Sequence, residues 1–260
     1  MTVASAILTY HSLDKSGSVI SVAPEVFRRQ MESLARSGTP VVPLALIRET
    51  PGAVALTFDD GFRNFFENAL PVLAGHRFPA TVFVVSGHCG GRNNWPGQSN
   101  GIPILELMGW SQLAEAARHS VELGGHTASH PRLTELSDAR VREELRVCRS
   151  EIEQHAGCAV RHFAYPYGSC DGRVRELVAE QYQLACGTAL GYAGGRSDIF
   201  ELPRLDTYYL RAQRWFEAIH SAEGRLYLTG RRWLRRVRER VNAVGHAAAN
   251  PRPGGAADQT

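Results

Sequence analysis

Two adjacent carboxylates, Asp59 and Asp60 in TFDDG, and two histidines four apart, His126 and His130 in HTASH, are the residues best suited to hydrolytic chemistry. Histidines at that spacing fall on one side of a helical turn or converge across a tight turn. With one carboxylate they make a set of two nitrogens and one oxygen. Three protein ligands leave open positions, the mark of a catalytic rather than a closed structural metal site. Zinc, cobalt, nickel and non-haem iron all use such a set. Hydrolysis needs a Lewis acid and not a redox centre, which puts zinc first. HTASH is not the HExxH of metalloproteases, since Thr127 and Ala128 offer no base. Successive side chains at a strand end point differently, so one aspartate can hold a cation while the other faces a water. A cation lowers the pKa of such a water to about 7, and a carboxylate within hydrogen-bond reach can then act as general base. Each motif has a plainer explanation on its own: Asp-Gly is a turn signal, and paired histidines occur on helix surfaces. Their occurrence together, each after an apolar run, favours a site.

Those apolar runs are AILTY (6–10), AVALTF (53–58), ATVFVV (80–85), VELGG (121–125), HFAYP (162–166) and YQLACGT (182–188), with VVPL (41–44) weaker. Helical patterns lie between them. PEVFRRQMESLARSG has Pro24 where a first turn tolerates it and Gly38 where a helix stops. SDARVREELRVCRSEIEQHAG repeats Val141, Leu145, Cys148 and Ile152 at helical spacing, from a Ser137 cap to Gly157. DGRVRELVAEQ and RAQRWFEAIHSA complete the set. Continuous apolar strands alternating with helices imply parallel strands buried on both faces. The expected fold is α/β, a single barrel of about seven parallel strands, with an open doubly wound sheet as the alternative. Chemistry in a barrel sits at the C-terminal ends of the strands. His11, Asp59-Asp60, His126 and Tyr165-Pro166-Tyr167-Gly168 all stand there.

At 260 residues and 43% hydrophobic, the chain can bury one large core. A net charge of +3 is too mild to suggest nucleic acid. No apolar run is long enough to span a bilayer, and MTVASAILTYH lacks the basic start of a signal peptide. Five spaced cysteines without a CxxC pair fit reduced thiols. A cytoplasmic location is therefore expected. Residues 86–109 form a Gly- and Asn-rich loop on the active face, and Trp95 within it either stacks on a sugar or pins the loop. The boundaries expected are a barrel over 1–220, a basic amphipathic helix over 221–245 and a disordered tail over 246–260. The helix carries Trp233, Leu234, Val237, Val241 and Val244 on one face among arginines. Two roles are open to that face: docking on the barrel, or lying on an anionic membrane at its inner surface.

In order, TFDDG, HTASH and YPYG resemble the motifs of the polysaccharide deacetylases of carbohydrate esterase family four, the NodB-homology domain, over roughly residues 1–220. The resemblance implies a distorted (β/α) barrel that removes acetyl groups from N-acetylated saccharides. It implies Asp59 as base, Asp60, His126 and His130 as metal ligands, and the Tyr167 backbone N–H as oxyanion donor. Trp95 and Tyr165 are the expected sugar contacts. The chain departs from the family pattern twice. Where the third motif usually has an arginine that orients the base, this chain has Ala164; Arg204 in ELPRLD is the candidate replacement. The usual Leu-x-x-His near the C-terminal end, source of the general acid, is missing, because no strand is expected after residue 188. His220 reads as a helix-surface residue. Leu8-Thr9-Tyr10-His11 is a Leu-x-x-His on the first strand. In a closed barrel the first strand neighbours the last, so the chain resembles the permuted branch that acts on exported poly-N-acetylglucosamine, with His11 as acid. The substrate expected is an N-acetylated poly- or oligosaccharide, either an exopolysaccharide or a lipid-linked intermediate. The alternatives are an O-acetyl esterase, an amidase on a non-sugar such as a ureide, and a non-catalytic saccharide-binding protein.

Overall fold

In this computed structural model, which describes residues 4–249, the apolar runs become parallel strands that close on themselves. They are β1 (Ala6–Tyr10), β2 (Val54–Phe58), β3 (Ala80–Val84), β4 (Val121–Gly125), β5 (His162–Ala164), β6 (Leu184–Leu190) and β7 (Leu202–Asp206), and their order around the barrel is their order in the chain. Every residue of β1, β2 and β3 is buried. That is why these strands read as unbroken apolar runs rather than alternating ones. β1 lies between β2 and β7, with Tyr10 opposite Phe58 on one side and Thr9 opposite Asp206 on the other. Closure therefore sets β1 beside β7.

β7 corrects the expectation that no strand follows residue 188. LPRLD is short and holds a proline and two charged residues, so it lacks an apolar run; Leu202, Arg204 and Leu205 are nevertheless buried. Two weaker readings also change. β5 ends at Ala164, because Tyr165 and Pro166 leave the sheet for a 3-10 turn over Pro166–Gly168. VVPL contributes one bridge, Val41 to Val54, before a 3-10 turn over Leu44–Leu46.

Helices α1 (Pro24–Ser37), α2 (Leu70–His76), α3 (Trp110–Ala117), α4 (Asp138–Ala156), α5 (Gly172–Ala179), α6 (Gln213–Glu217) and α7 (Ala222–Ala249) flank the strands. α1 opens on Pro24 and closes at Gly38, whose left-handed φ of 65° a residue without Cβ adopts freely. α4 buries Val141, Leu145, Cys148 and Ile152 as its spacing predicts. α6 stops at Glu217, which leaves His220 in the following turn.

α7 docks through a different face from the one expected. The Tyr227 ring stacks on Trp215 of α6 at 4.1 Å between centroids, and Leu228 is buried. The Tyr227 hydroxyl donates to the Tyr209 carbonyl, and Arg235 Nη1 donates to the Thr188 carbonyl on β6. At about 100° per residue, this leaves Leu226, Trp233, Leu234 and Val237 on another face, and all four are exposed. Val241 and Val244 lie beyond the residues whose side chains are described, as does residue 250 onward of the expected tail.

Candidate active site

The C-terminal end of β2 delivers Asp59 and Asp60, and that of β4 delivers HTASH. The ligand atoms of Asp60, His126 and His130 all lie within 4.8 Å of one another, and all three residues are buried. Asp60 Oδ1 is 3.4 Å from His126 Nε2 and 3.3 Å from His130 Nε2. The histidines converge through a tight turn, not a helix: Thr127 and His130 have φ of 66° and 59°. Asp60 (71°) and Tyr167 (56°) share this left-handed conformation, so four of the six described non-glycine residues with positive φ belong to these loops. Each costs about 1–2 kcal/mol, strain of the kind that collects where geometry must be imposed.

These residues fit a divalent cation. His126 Nδ1 lies 2.7 Å from the Ala164 carbonyl, which can only accept, so Nδ1 carries the proton. In the neutral ring Nε2 then turns a lone pair toward an aspartate oxygen, an arrangement that a cation between them satisfies. Burial disfavours the His130 imidazolium, despite Asp60 beside it, and so favours the ligating neutral ring. Burial alone would raise the Asp60 carboxyl; hydrogen bonds from His126 and His130 in their protonated form outweigh that and hold it well below the usual range, a part that a cation takes over when the rings are neutral.

Sequence reasoning missed the residue that shapes the histidine turn. Glu144 on α4 accepts the N–H groups of Ala128 and Ser129 at 3.0 and 2.9 Å and the Ser129 hydroxyl at 2.7 Å. Thr127 Oγ1 accepts the His130 N–H at 2.9 Å. The signal was present: Glu144 follows Val141 by three, so an acidic residue stands on the apolar face of α4.

Asp59 stands beside this cluster and lines one cavity with Asp60, His126, His130 and His11. Arg204 on β7 donates from Nη1 and Nη2 to its two oxygens, each at 2.7 Å, and from Nε to the Gly187 carbonyl at 2.9 Å. Burial alone would raise the Asp59 carboxyl, but the Arg204 charge, and then that of His11, hold it below the usual carboxylate range. His11 Nε2 is 3.8 Å from Asp59 Oδ2, and the ring is partly exposed on the cleft. The loop after His11 is fixed by Asp14, which accepts from the Ser12 and Ser21 hydroxyls, and by Asn64, which accepts the Leu13 N–H at 2.9 Å.

Tyr167 forms the cleft wall opposite. Its turn requires Gly168, which has φ 68° and where a Cβ would come within 2.0 Å of the Thr188 hydroxyl. The Arg132 guanidinium covers the Tyr167 ring at 4.4 Å. The two expected sugar contacts, Trp95 and Tyr165, line the cavity that holds Asp59, Asp60, His126 and His130. Trp95 is only 2% exposed and stacks on His130 at 4.2 Å, so it backs a histidine of the cluster and pins its loop. Tyr165 is buried and donates to the Phe200 carbonyl at 2.7 Å. Tyr208 and Tyr209 after β7 line the adjoining cavity with His11, Asp59 and Tyr167. His220 lines a separate cavity with Ser33, Leu34 and Glu217.

A barrel that gathers an Asp-His-His cluster able to hold a cation, a carboxylate clamped by arginine and a histidine at its strand ends has the residues of a hydrolase site. The sequence profile of the polysaccharide deacetylase family matches residues 47–185, more than half of the chain, and the chain belongs to that family of enzymes. Among its relatives, YxkH of Bacillus subtilis, named for the same family, is 24% identical over 208 residues, which are 76% of this chain and 70% of YxkH. The poly-β-1,6-N-acetyl-D-glucosamine N-deacetylase of Staphylococcus aureus is 27% identical over 117 residues; the match covers 45% of this chain and only 40% of that protein. IcaB from Ammonifex degensii shares the fold, with a TM-score of 0.68 at 22% identity over 83% of this chain and 97% of its own. The family match begins after β1 and ends before β7, so His11 and Arg204 join the site through barrel closure alone.

Proposed function

We propose that this enzyme hydrolyses N-acetyl groups of a glucosamine-containing oligo- or polysaccharide, releasing acetate, with a divalent cation held by Asp60, His126 and His130. Zinc is the first choice, with cobalt and nickel as alternatives that use the same donors. The observation that carries the reading is Asp59: an ionised carboxylate, aimed by Arg204, with the three-ligand cluster on one side and His11 on the other.

Bound there, the cation would polarise the amide carbonyl and acidify a water. The chain supplies the rest. Asp59 takes the proton as the water oxygen adds to the carbonyl carbon. The Tyr167 N–H, presented by its left-handed turn, donates to the oxygen that gains the charge. His11 gives a proton to the sugar nitrogen as the C–N bond breaks, and acetate leaves. His11 fills the acid's place because β1 closes the barrel against β7, as in the permuted arrangement. Tyr208 and Tyr209 line the cleft, each with a guanidinium over one ring face, and aromatic rings are a usual means of holding a sugar's apolar face. The S. aureus relative's name supports N-acetylglucosamine as the sugar.

Acetate release from N-acetylglucosamine oligomers and O-acetylated xylan, and amide-bond hydrolysis of a ureide followed by loss of the ureide, test this reading, each with and without added zinc, cobalt or nickel. Release confined to the N-acetylated saccharides is the expected result. Preference for the xylan would make the chain an O-acetyl esterase. No turnover on any substrate with metal bound would favour the saccharide-binding alternative.

A further inference from the structure

Seven large hydrophobic side chains are exposed among the described residues, and they are unevenly placed. Leu226, Trp233, Leu234 and Val237 lie on one stretch of α7, at 75%, 65%, 53% and 39% exposure. A fifth, Val19, lines the catalytic cleft together with Arg235 of the same helix. α7 thus walls the cleft with one face and bares an apolar stripe on another.

The charge is equally uneven. Residues 222–245 hold seven arginines against two glutamates, five in excess, while the whole chain is only +3; the remainder is therefore net negative. Arg225 and the exposed Arg232 flank the stripe on one side, at about 100° per residue, while Arg231 on the other covers the Tyr209 and Tyr227 rings. The helix is firmly seated by the Trp215–Tyr227 stack and buried Leu228, so the stripe is held outward. A Trp- and Leu-bearing face bordered by arginines is the pattern of a helix lying in a bilayer interface. Among the described residues no helix is long and apolar enough to cross a membrane. A second copy of the chain is a poor occupant, because it would bring like-charged arginines together, whereas anionic headgroups complement them.

We propose that α7 seats the enzyme on an anionic phospholipid surface, with the catalytic cleft beside the lipid. The natural substrate is then a saccharide held at a membrane, a refinement that rests on the deacetylase reading. The test is co-sedimentation of the full chain with vesicles of phosphatidylcholine alone and of phosphatidylcholine with one third phosphatidylglycerol. Wild type should pellet with the anionic vesicles and not with the neutral ones, and high salt should release it. The double variant Trp233→Ser/Leu234→Ser should partition about tenfold less while its acetate release from soluble N-acetylglucosamine oligomers stays unchanged. The proposal is overturned if wild type stays in the supernatant with anionic vesicles, or if the double variant pellets like wild type. It is also overturned if the stripe mediates dimerisation in sedimentation velocity without vesicle binding. Vesicle binding without acetate release would instead count against the deacetylase reading and leave the docking in place.

Discussion

Arg204 on β7 grips both oxygens of Asp59, just after β2, reaching past β1, the strand that His11 follows. The two residues are 145 positions apart and meet only because the barrel closes. Each is buried, so neither charge is tolerable without the other. Arg204→Met should destabilise the fold by about 3–5 kcal/mol, and acetate release should fall with it because the base loses its aim. Denaturant unfolding of the variant measures the first effect and steady-state turnover the second.

The same pair sets an acid sensitivity. An unfolded aspartate titrates near about 3.9, and folded Asp59 titrates lower because of Arg204. Between those values the unfolded chain binds the proton more readily than the folded one. The stabilisation is therefore whole above the unfolded value and is lost as pH falls through the folded one. Unfolding midpoints measured downward from neutrality should drop across this acid window. In Arg204→Met that part of the drop should shrink, because the variant no longer depresses the Asp59 carboxyl.

His11→Ala and His220→Ala separate two candidates for the acid. His11 stands 3.8 Å from Asp59, whereas His220 belongs to another cavity. Loss of a general acid costs about 10²–10⁴ in rate, so His11→Ala should lose turnover on that scale and His220→Ala should keep it. A large loss confined to His220→Ala would remove His11 from the mechanism.

Glu144→Gln tests the support of the histidine turn. The amide keeps the shape but cannot accept from all three donors at Ala128 and Ser129. Residues that orient ligands in this way typically alter metal affinity by about 10–100-fold. Titration with zinc should show weaker binding in that range, and excess metal should restore turnover.

Six strands and the placement of Asp59, Asp60, His126, His130 and His11 at their ends were legible, because a strand buried on both faces writes itself as an apolar run. β7 was not, since LPRLD carries Pro203 and two charges and is recognisable as a strand only by pairing with β1 and β6. Arg204 could be named from the missing arginine at Ala164, but its grip on Asp59 is a long-range contact that no local pattern encodes. The packing of Trp95 and Tyr165 was not legible for a related reason. An aromatic residue near an active-site motif looks the same in sequence whether its ring is open to a sugar or stacked behind a histidine. Glu144 was legible in principle, as an acid on an apolar helical face. The outward stripe of α7 was visible as a stripe, but the face used for docking was decided by Trp215 and Tyr209, on other segments.

The most direct test of the account is Asp59→Asn, assayed for acetate release from N-acetylglucosamine oligomers and for bound metal in the same preparation. Asp59 touches Arg204 and His11 but is not among the three clustered ligands. The expected result is metal retained at the wild-type level with turnover reduced by about 10²–10⁴. Near-normal turnover in a metal-loaded Asp59→Asn enzyme would contradict the assignment of the base, and with it the mechanism.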